Sequence, residues 1–260
     1  MIPHAGLIFL QQCVGLGMAR LLPFLALFVS LPLFAQQRAP QQLEYFAPTI
    51  DTVRDPGRHF LLPTAKANVG SYIGAWELAF LQAGIGFDNV ISVNAGITAM
   101  PTVAFRSQFA FANTKITVMD EPWFSFALGG NYLRLTSKHN YVHIFGVGTY
   151  EHEDKTRISG MLFYKLAGED YPTVDVFPYG SFSFTYGGAM GAAAGFDTPF
   201  LDISNMRLVG EIWNHDLQTP SKLMALLALR VESSRFSSDF GFSFFTLPLL
   251  APVANFVWRF

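Results

Sequence analysis

Apolar residues alternate with small or polar residues, at a period of two, through most of the chain after residue 58. The pattern is clearest at residues 91–98, 124–129, 181–186 and 239–244. Successive side chains of a strand point to opposite faces, so each segment is predicted to be a β-strand with one apolar face. The second face carries Ser, Thr, Gly, Ala and Asn rather than long Lys and Glu side chains. It therefore suits a crowded polar interior better than a surface in bulk water.

The composition also favours a lipid environment for part of the chain. Hydrophobic residues make up 51% and charged residues 14% of the 260 residues, whereas about a quarter of the residues of soluble domains are charged. No run of 18 apolar residues follows residue 58, and the longest candidate, 244–254, contains Pro248 and Pro252. Without a spanning helix, a closed barrel is the structure that satisfies every backbone group in lipid. We therefore predict an all-β chain that forms a single antiparallel transmembrane β-barrel.

Turn-forming residues divide the barrel into about 12 predicted strands, within a range of 10–14. We place them near 58–66, 70–86, 90–99, 102–118, 123–135, 140–150, 156–166, 175–195, 205–217, 222–233, 237–246 and 252–260. An even number puts both termini in the periplasm, with short turns on that side and longer loops outside. Pro63 weakens the first strand, which we keep because the count would otherwise be odd. The expected outer loops are 136–140, 168–173 and 215–221.

The N-terminal region is predicted to be removed. Residues 1–35 contain Arg20, an apolar stretch and a final Ala35, as in a signal peptide. Met18 is an alternative start, which would make residues 1–17 an overrun of the start site. Residues 36–57 are rich in Gln and Pro and are predicted to form a periplasmic tail or linker, so that the barrel comprises residues 58–260. The sole cysteine, Cys13, would be lost, which excludes disulfides and thiolate chemistry from the mature protein.

The last residues carry a recognisable pattern. Phe256, Trp258 and the terminal Phe260 share one face of the final predicted strand. This pattern resembles the C-terminal insertion signal of bacterial outer-membrane β-barrel proteins. The resemblance implies location in the cell outer membrane, contact with its lipid, and recognition by the barrel-assembly machinery. Residues 59–64 and 211–213 also resemble segments of an uncharacterised group of outer-membrane proteins, for which no activity is implied.

Residues that could carry chemistry are sparse. His139 and His143 have a metal-ligand spacing on a helix, but on a strand they are about 13 Å apart, so we expect solvated histidines at the barrel rim. The chain has no G-x-S-x-G motif and no basic excess, since its net charge is −2. We predict no catalytic residue, metal site, cofactor or nucleic-acid partner. The protein is predicted not to be an enzyme, with an outer-membrane lipid-modifying enzyme as the alternative.

The interior is predicted to be charged. On the assumed strand phase the inward basic residues are Arg106, Lys115, Arg157, Lys165, Arg207, Arg230 and Arg259, and the acidic ones are Glu77, Glu211, Glu232 and Asp239. Paired charges could fill and stiffen a closed barrel, or an excess of basic groups could line a channel that favours anions.

We favour a largely filled barrel of structural or small-ligand-binding type, because barrels much smaller than porins are filled by side chains. A narrow passive channel with mild anion preference and a secreted soluble β-sandwich binding module are the alternatives. The sequence leaves open which ion or small molecule is bound or carried, and whether residues 51–58 fold back into the pore.

Overall fold

The computed structural model describes residues 57–68, 70–76, 80–88, 90–99, 105, 108–135, 139–168, 173–176, 180–183, 189–201, 203–217, 223–245 and 250–260. Structural statements below refer to these residues. Among them, no helix is long and apolar enough to cross a membrane.

Twelve strands form a closed antiparallel barrel, which confirms the predicted fold class. The chain forms the strands β1 (Ser71–Trp76), β2 (Phe80–Phe87), β3 (Ile91–Thr98), β4 (Ala110–Asp120), β5 (Phe124–Arg134), β6 (Asn140–Glu151), β7 (Arg157–Ala167), β8 (Thr173–Val176), β9 (Gly180–Ser183), β10 (Met190–Phe200), β11 (Ile203–Asn214), β12 (Leu223–Glu232), β13 (Phe236–Phe245) and β14 (Leu250–Arg259). Each barrel strand pairs with its neighbour in the chain, except that β7 pairs with β10, and the β8–β9 hairpin forms a separate two-stranded sheet.

The barrel closes where β1 pairs with β14. Tyr72 lies opposite Arg259 and Trp76 opposite Asn255. The backbone N–H of Phe260 donates to the carbonyl of Ser71 at 2.9 Å, which extends this pairing to the last residue of the chain. Closure leaves no unpaired strand edge, the condition that lipid imposes on a sheet.

The two ends of the barrel have different connections. The end that holds the start of β1 and the end of β14 has short turns at 88–90, 121–123, 152–156, 201–202 and 233–235. The opposite end carries the three longest connections, at 99–109, 168–189 and 215–222. Bacterial barrels keep short turns in the periplasm and longer loops outside. We call the first end the turn end and the second the loop end.

The outer face of the wall is apolar, as the alternation predicts. Ile73, Leu128 and Leu162 are more than half exposed there, while residues such as Ser92, Ser125 and Asp239 on the other face are buried. Exposed aromatic residues gather near the turn end: Phe87, Trp123, Tyr150, Phe236, Trp258 and Phe260. Tyr132, Tyr164 and Phe244 are exposed toward the loop end. Two aromatic girdles around an apolar band are typical of a barrel that spans a membrane.

Three strand assignments were wrong, and the errors of the first two cancel in the count. Residues 58–66 do not form a strand of the wall; they lie inside the barrel, where an isolated bridge joins Arg58 and Pro63. Residues 70–86 contain two strands, β1 and β2, rather than one.

The expected strand 175–195 also divides. Its first part contains the β8–β9 hairpin and its last part begins β10. The loop that we placed at 168–173 therefore extends from 168 to 189, and it is the longest connection of the barrel.

Candidate functional site in the barrel interior

Residues 57–68, here called the inner segment, form a compact loop within the barrel. The N–H of His59 donates to the carbonyl of Leu62, and the N–H of Thr64 donates to the carbonyl of Gly57. Most of its residues are buried, including Phe60 at 2% and Leu62 at 0% exposure. The inner segment therefore has a defined turn of its own and is not an extended tail.

Glycines in the wall let the inner segment approach closely. At Gly86 of β2 an added Cβ atom would lie 1.5 Å from the carbonyl oxygen of Asn68. At Gly195 of β10 it would lie 2.8 Å from the side chain of Leu62. Any larger residue at Gly86 would collide with backbone, so the wall is shaped to hold the inner segment.

Glu211 binds the tip of the inner segment through its backbone. Its Oε1 atom accepts hydrogen bonds from three successive N–H groups, those of Phe60, Leu61 and Leu62, at 2.6, 2.8 and 2.9 Å. Its Oε2 atom accepts from Nε1 of Trp213 at 2.9 Å. Successive N–H groups that converge on one point form a concave anion site, and the carboxylate of Glu211 on β11 occupies it.

Lys115 binds backbone carbonyl groups of the same segment, whereas Glu211 binds its N–H groups. Its ammonium group donates to the carbonyls of Gly57 at 3.0 Å and of Lys66 at 2.6 Å, and also to that of Thr64. The side chain is 2% exposed. An ammonium has three donors, and these three carbonyls match that number. Lys115 on β4 and Glu211 on β11 thus anchor the backbone of the inner segment from two parts of the wall.

Asp197 on β10 is the centre of a buried ion cluster. Its carboxylate accepts from Nη2 of Arg157 at 2.8 Å, and it also pairs with Arg207. The same carboxylate lies 2.8 Å from Nδ1 of His59 in the inner segment. Asp197 is completely buried, so its charge depends on these partners for stabilisation.

His59 links this ion cluster to Ser159. Its Nε2 atom lies 2.7 Å from Oγ of Ser159, giving the order Ser159–His59–Asp197. That order is found in nucleophilic triads. Here, however, the hydroxyl of Ser159 also bonds to Thr149 at 2.8 Å, and Ser159 is 1% exposed. The two guanidinium groups share the carboxylate that would support the imidazole. These contacts make the three residues a tether between the inner segment and the wall.

Arg230 supplies a third connection to the inner segment. Its guanidinium binds Asp239 at 2.6 Å and donates to the carbonyl of His59. Asn255 donates to the same Asp239 at 3.0 Å, and Gln82 donates to Asn255 at 2.9 Å. A chain of hydrogen bonds therefore runs from β2 through β14 and β13 to β12 and the inner segment.

The interior toward the loop end is aromatic. One group on β1, β2 and β4 has ring-to-ring contacts from Trp76 to Phe80 at 5.8 Å and from Phe80 to Phe111 at 5.5 Å. A second group runs through β6, β7 and β11 to the residue that follows β11. We call the two groups together the aromatic belt: Trp76, Phe80, Phe109, Phe111, Tyr141, His143, Phe163, Trp213 and His215.

Of the two histidines of the aromatic belt, His143 is buried and His215 is partly buried. His143 is 4% exposed and stacks on Tyr141 at 6.2 Å, which corrects our expectation of a solvated rim residue. His215 stacks on Trp213 at 5.9 Å, and burial lowers the pKa of His215 to about 4. The described part of the chain contains no group of three or more residues that could hold a metal ion.

The structure locates most of the interior charges predicted from the sequence. Lys115, Arg157, Glu211, Arg230, Asp239 and Arg259 are buried, and Lys165, Arg207 and Glu232 are half-buried. Arg259 donates to Ser237 near the turn end, and Lys165 lies opposite His143 in the strand register. Arg106 and Glu77 lie outside the described residues.

Sequence reasoning missed Asp197 and His59, the two residues that join Arg157 and Arg207 to the inner segment. Asp197 was overlooked because the predicted strand stopped at residue 195, although Gly191, Ala193, Gly195 and Asp197 continue one period-two face. His59 was missed because residues 58–66 were assigned to a strand of the wall.

A closed antiparallel barrel with an apolar outer face and a buried charged interior is the architecture of a transmembrane β-barrel. A KdgM porin matches it with a TM-score of 0.52 and 10% sequence identity, over 73% of this chain and 97% of the porin. A KdgM porin in complex with disordered oligogalacturonate matches with the same values. At this identity the similarity is one of fold. No family model and no curated protein matches the sequence.

Proposed function

We propose that the protein is an outer-membrane β-barrel of structural or small-ligand-binding type, whose interior is filled by its own inner segment. The observation that carries the proposal is the set of buried hydrogen bonds that charged side chains of the wall make to residues 57–68. Glu211, Lys115, Arg230 and Asp197 all bind that segment. Charged side chains engaged in this way are not available to bind ions that pass through the barrel. The proposal includes the absence of an enzymatic activity.

A narrow channel with mild anion preference is the second candidate. It is favoured by the similarity in fold to KdgM porins and by the excess of buried basic over acidic side chains in the wall. In such a channel the inner segment would leave the interior for conduction. Its anchors would then line the pore, and Arg157 and Arg207 would attract anions.

Planar-bilayer recording separates the two candidates. Wild-type barrel is expected to show no steady conductance. A variant in which residues 57–68 are replaced by an equally long Gly/Ser stretch is expected to conduct, with anion preference, because Lys115 and Arg230 lose their contacts with the inner segment. Folding of both proteins is checked first by the gel-mobility shift that closed barrels show on boiling.

Each result of the recordings bears on the proposal. Steady conductance in wild type would overturn it, particularly if Arg157→Glu or Arg207→Glu then shifted preference toward cations. Silence of the Gly/Ser variant would show that the inner segment is not what closes the barrel. In a filled barrel the same charge reversals are expected to lower stability instead, because each would place a second carboxylate beside Asp197.

Location in the outer membrane is part of the proposal, as are the signal peptide at residues 1–35 and recognition of the final strand by the barrel-assembly machinery. Phe260 is 61% exposed and Trp258 is 49% exposed, whereas Arg259 between them is buried. This alternation supports a lipid-facing aromatic stripe at the C-terminus.

Phe260→Ala is expected to reduce the amount of folded barrel in outer-membrane fractions several-fold, because it removes the last aromatic group of the stripe. Phe244→Ala, another exposed phenylalanine but near the loop end, is the matched control and should assemble normally. Equal assembly of the two variants would contradict the role given to Phe260.

A further inference from the structure

The aromatic belt offers a surface that the contacts to the inner segment do not use. Trp76, Phe109, Phe111, Trp213 and His215 are only partly buried. Their positions near the loop-end termini of β1, β4 and β11 put them beyond the tip of the inner segment, where Phe60 contacts Trp76 at 6.2 Å. By the alternation of the strands, Trp76, Phe111 and Trp213 share the inward face with the buried Tyr72, Lys115 and Glu211.

The aromatic belt carries little charge. Its rings are neutral, and His215 is uncharged at neutral pH. The basic groups that would hold an anion are engaged closer to the turn end: Arg157 and Arg207 at Asp197, and Arg230 at Asp239. At the level of the aromatic belt, Lys165 lies opposite His143, and Arg134 lies opposite Ala110 and donates to the carbonyls of Phe105 and Gln108. Flat apolar molecules are what neutral aromatic faces bind best.

One polar atom in the aromatic belt lacks a partner within the described part of the chain, which indicates that a molecule bound there would carry a hydrogen-bond acceptor. Nε1 of Trp76 is buried and has no hydrogen-bond partner among the described residues. The corresponding atom of Trp213 donates to Glu211 at 2.9 Å. A buried indole N–H normally finds an acceptor, and a bound molecule with a carbonyl or ether oxygen would supply one.

We propose that the aromatic belt is a binding site for a small uncharged aromatic molecule that carries a hydrogen-bond acceptor. The inner segment forms the floor of this site, so the proposal rests in that respect on the filled barrel proposed above. Stacking between rings and one hydrogen bond from Trp76 would hold the molecule, and the lack of available basic groups would select against acidic sugars.

The four tryptophans allow a direct test, because Trp76 and Trp213 are inside whereas Trp123 and Trp258 face outward. The probe is the neutral naphthyl ketone prodan, which accepts energy from excited tryptophan. An inside-only protein, Trp123→Phe with Trp258→Phe, reports on the aromatic belt. An outside-only protein, Trp76→Phe with Trp213→Phe, reports on probe that partitions into the surrounding detergent or lipid.

Energy transfer in the inside-only protein is expected to saturate and to fall when excess acetophenone competes. In the outside-only protein it should rise linearly with probe. Adding Trp76→Phe to the inside-only protein leaves Trp213 as its reporter and is expected to weaken binding about 2–10-fold, the effect of one hydrogen bond. Trigalacturonate, an acidic sugar, should not compete.

Linear transfer in the inside-only protein would overturn the proposal, as would displacement by trigalacturonate. Unchanged affinity after Trp76→Phe would show that Trp76 donates no hydrogen bond to the bound molecule, and would contradict the predicted acceptor. Bilayer recordings on the same preparations separate this failure from that of the filled barrel. If energy transfer is saturable but the barrel conducts, the binding site stands and the filled barrel does not. If the barrel shows no conductance but energy transfer is linear, the filled barrel stands and the binding site does not.

Discussion

Asp197→Ala is expected to lower the free energy of unfolding of the barrel by about 3–5 kcal/mol, the usual effect of removing one partner from a buried ion pair. The variant leaves Arg157, Arg207 and His59 without the carboxylate that they share. The measurement is urea unfolding of the protein in lipid vesicles, followed by tryptophan fluorescence and by heat-dependent gel mobility.

The matched control is Asp120→Ala, an aspartate at the turn end of β4 that is exposed and bonds only to Ser125 among the contacts described. Its unfolding midpoint should stay close to that of wild type. A triple variant that also carries Arg157→Gln and Arg207→Gln should recover part of the stability lost in Asp197→Ala, because no stranded guanidinium group remains. Equal midpoints for Asp197→Ala and Asp120→Ala would contradict the role of the cluster.

Glu211→Ala is expected to release the inner segment. It leaves the N–H groups of Phe60, Leu61 and Leu62 and the indole of Trp213 without an acceptor. The contacts of Phe60 and Leu62 are buried, and each stranded buried donor costs about 1–3 kcal/mol. This cost favours departure of the inner segment, because its N–H groups would then be hydrated. We expect conductance steps in planar bilayers that wild type lacks.

Chemical labelling provides a second measurement of this release. Ala65 is completely buried in the inner segment, and Ala65→Cys would introduce a single thiol, since Cys13 lies in the predicted signal peptide. A water-soluble maleimide should react at least tenfold faster in Glu211→Ala than in the wild-type background. Glu211→Gln keeps one carbonyl oxygen for the three backbone N–H groups but places an NH2 group against the N–H of Trp213, so its labelling rate should lie between those of wild type and Glu211→Ala. Slow labelling and the absence of conductance in Glu211→Ala would show that the other anchors are enough to hold the inner segment in the barrel.

The wall of the barrel could be predicted because lipid and a crowded interior impose opposite demands on alternate residues. Segments such as 91–98 and 124–129 follow that rule strictly, so their faces were assigned correctly. The strand boundary at 77–79 was missed because Glu77 and its neighbours contain no glycine, proline or asparagine to mark a turn. A closed sheet tolerates such a connection because both strands are held by their other neighbours.

The inner segment could not be predicted from the same rule. Phe60 and Leu62 suggest the apolar face of a strand, but they pack against interior residues such as Val209 and Val147. Its main anchor is also invisible in the sequence, because the groups that bind Glu211 are backbone N–H groups, which every residue except proline possesses. Only a fold that brings residue 60 beside residue 211 reveals them.

The two ends of the inner segment lie side by side. An added Cβ atom at Gly57, where the described part begins, would lie 2.9 Å from the backbone nitrogen of Asn68, where it ends, and Asn68 adjoins Gly86 near the turn end. Residues 57–68 form no strand of the wall and make a single bridge within themselves. Withdrawing these residues would therefore leave every strand-to-strand hydrogen bond of the wall intact. The free-energy cost of emptying the interior is set by the side-chain anchors and by the apolar packing of Phe60 and Leu62.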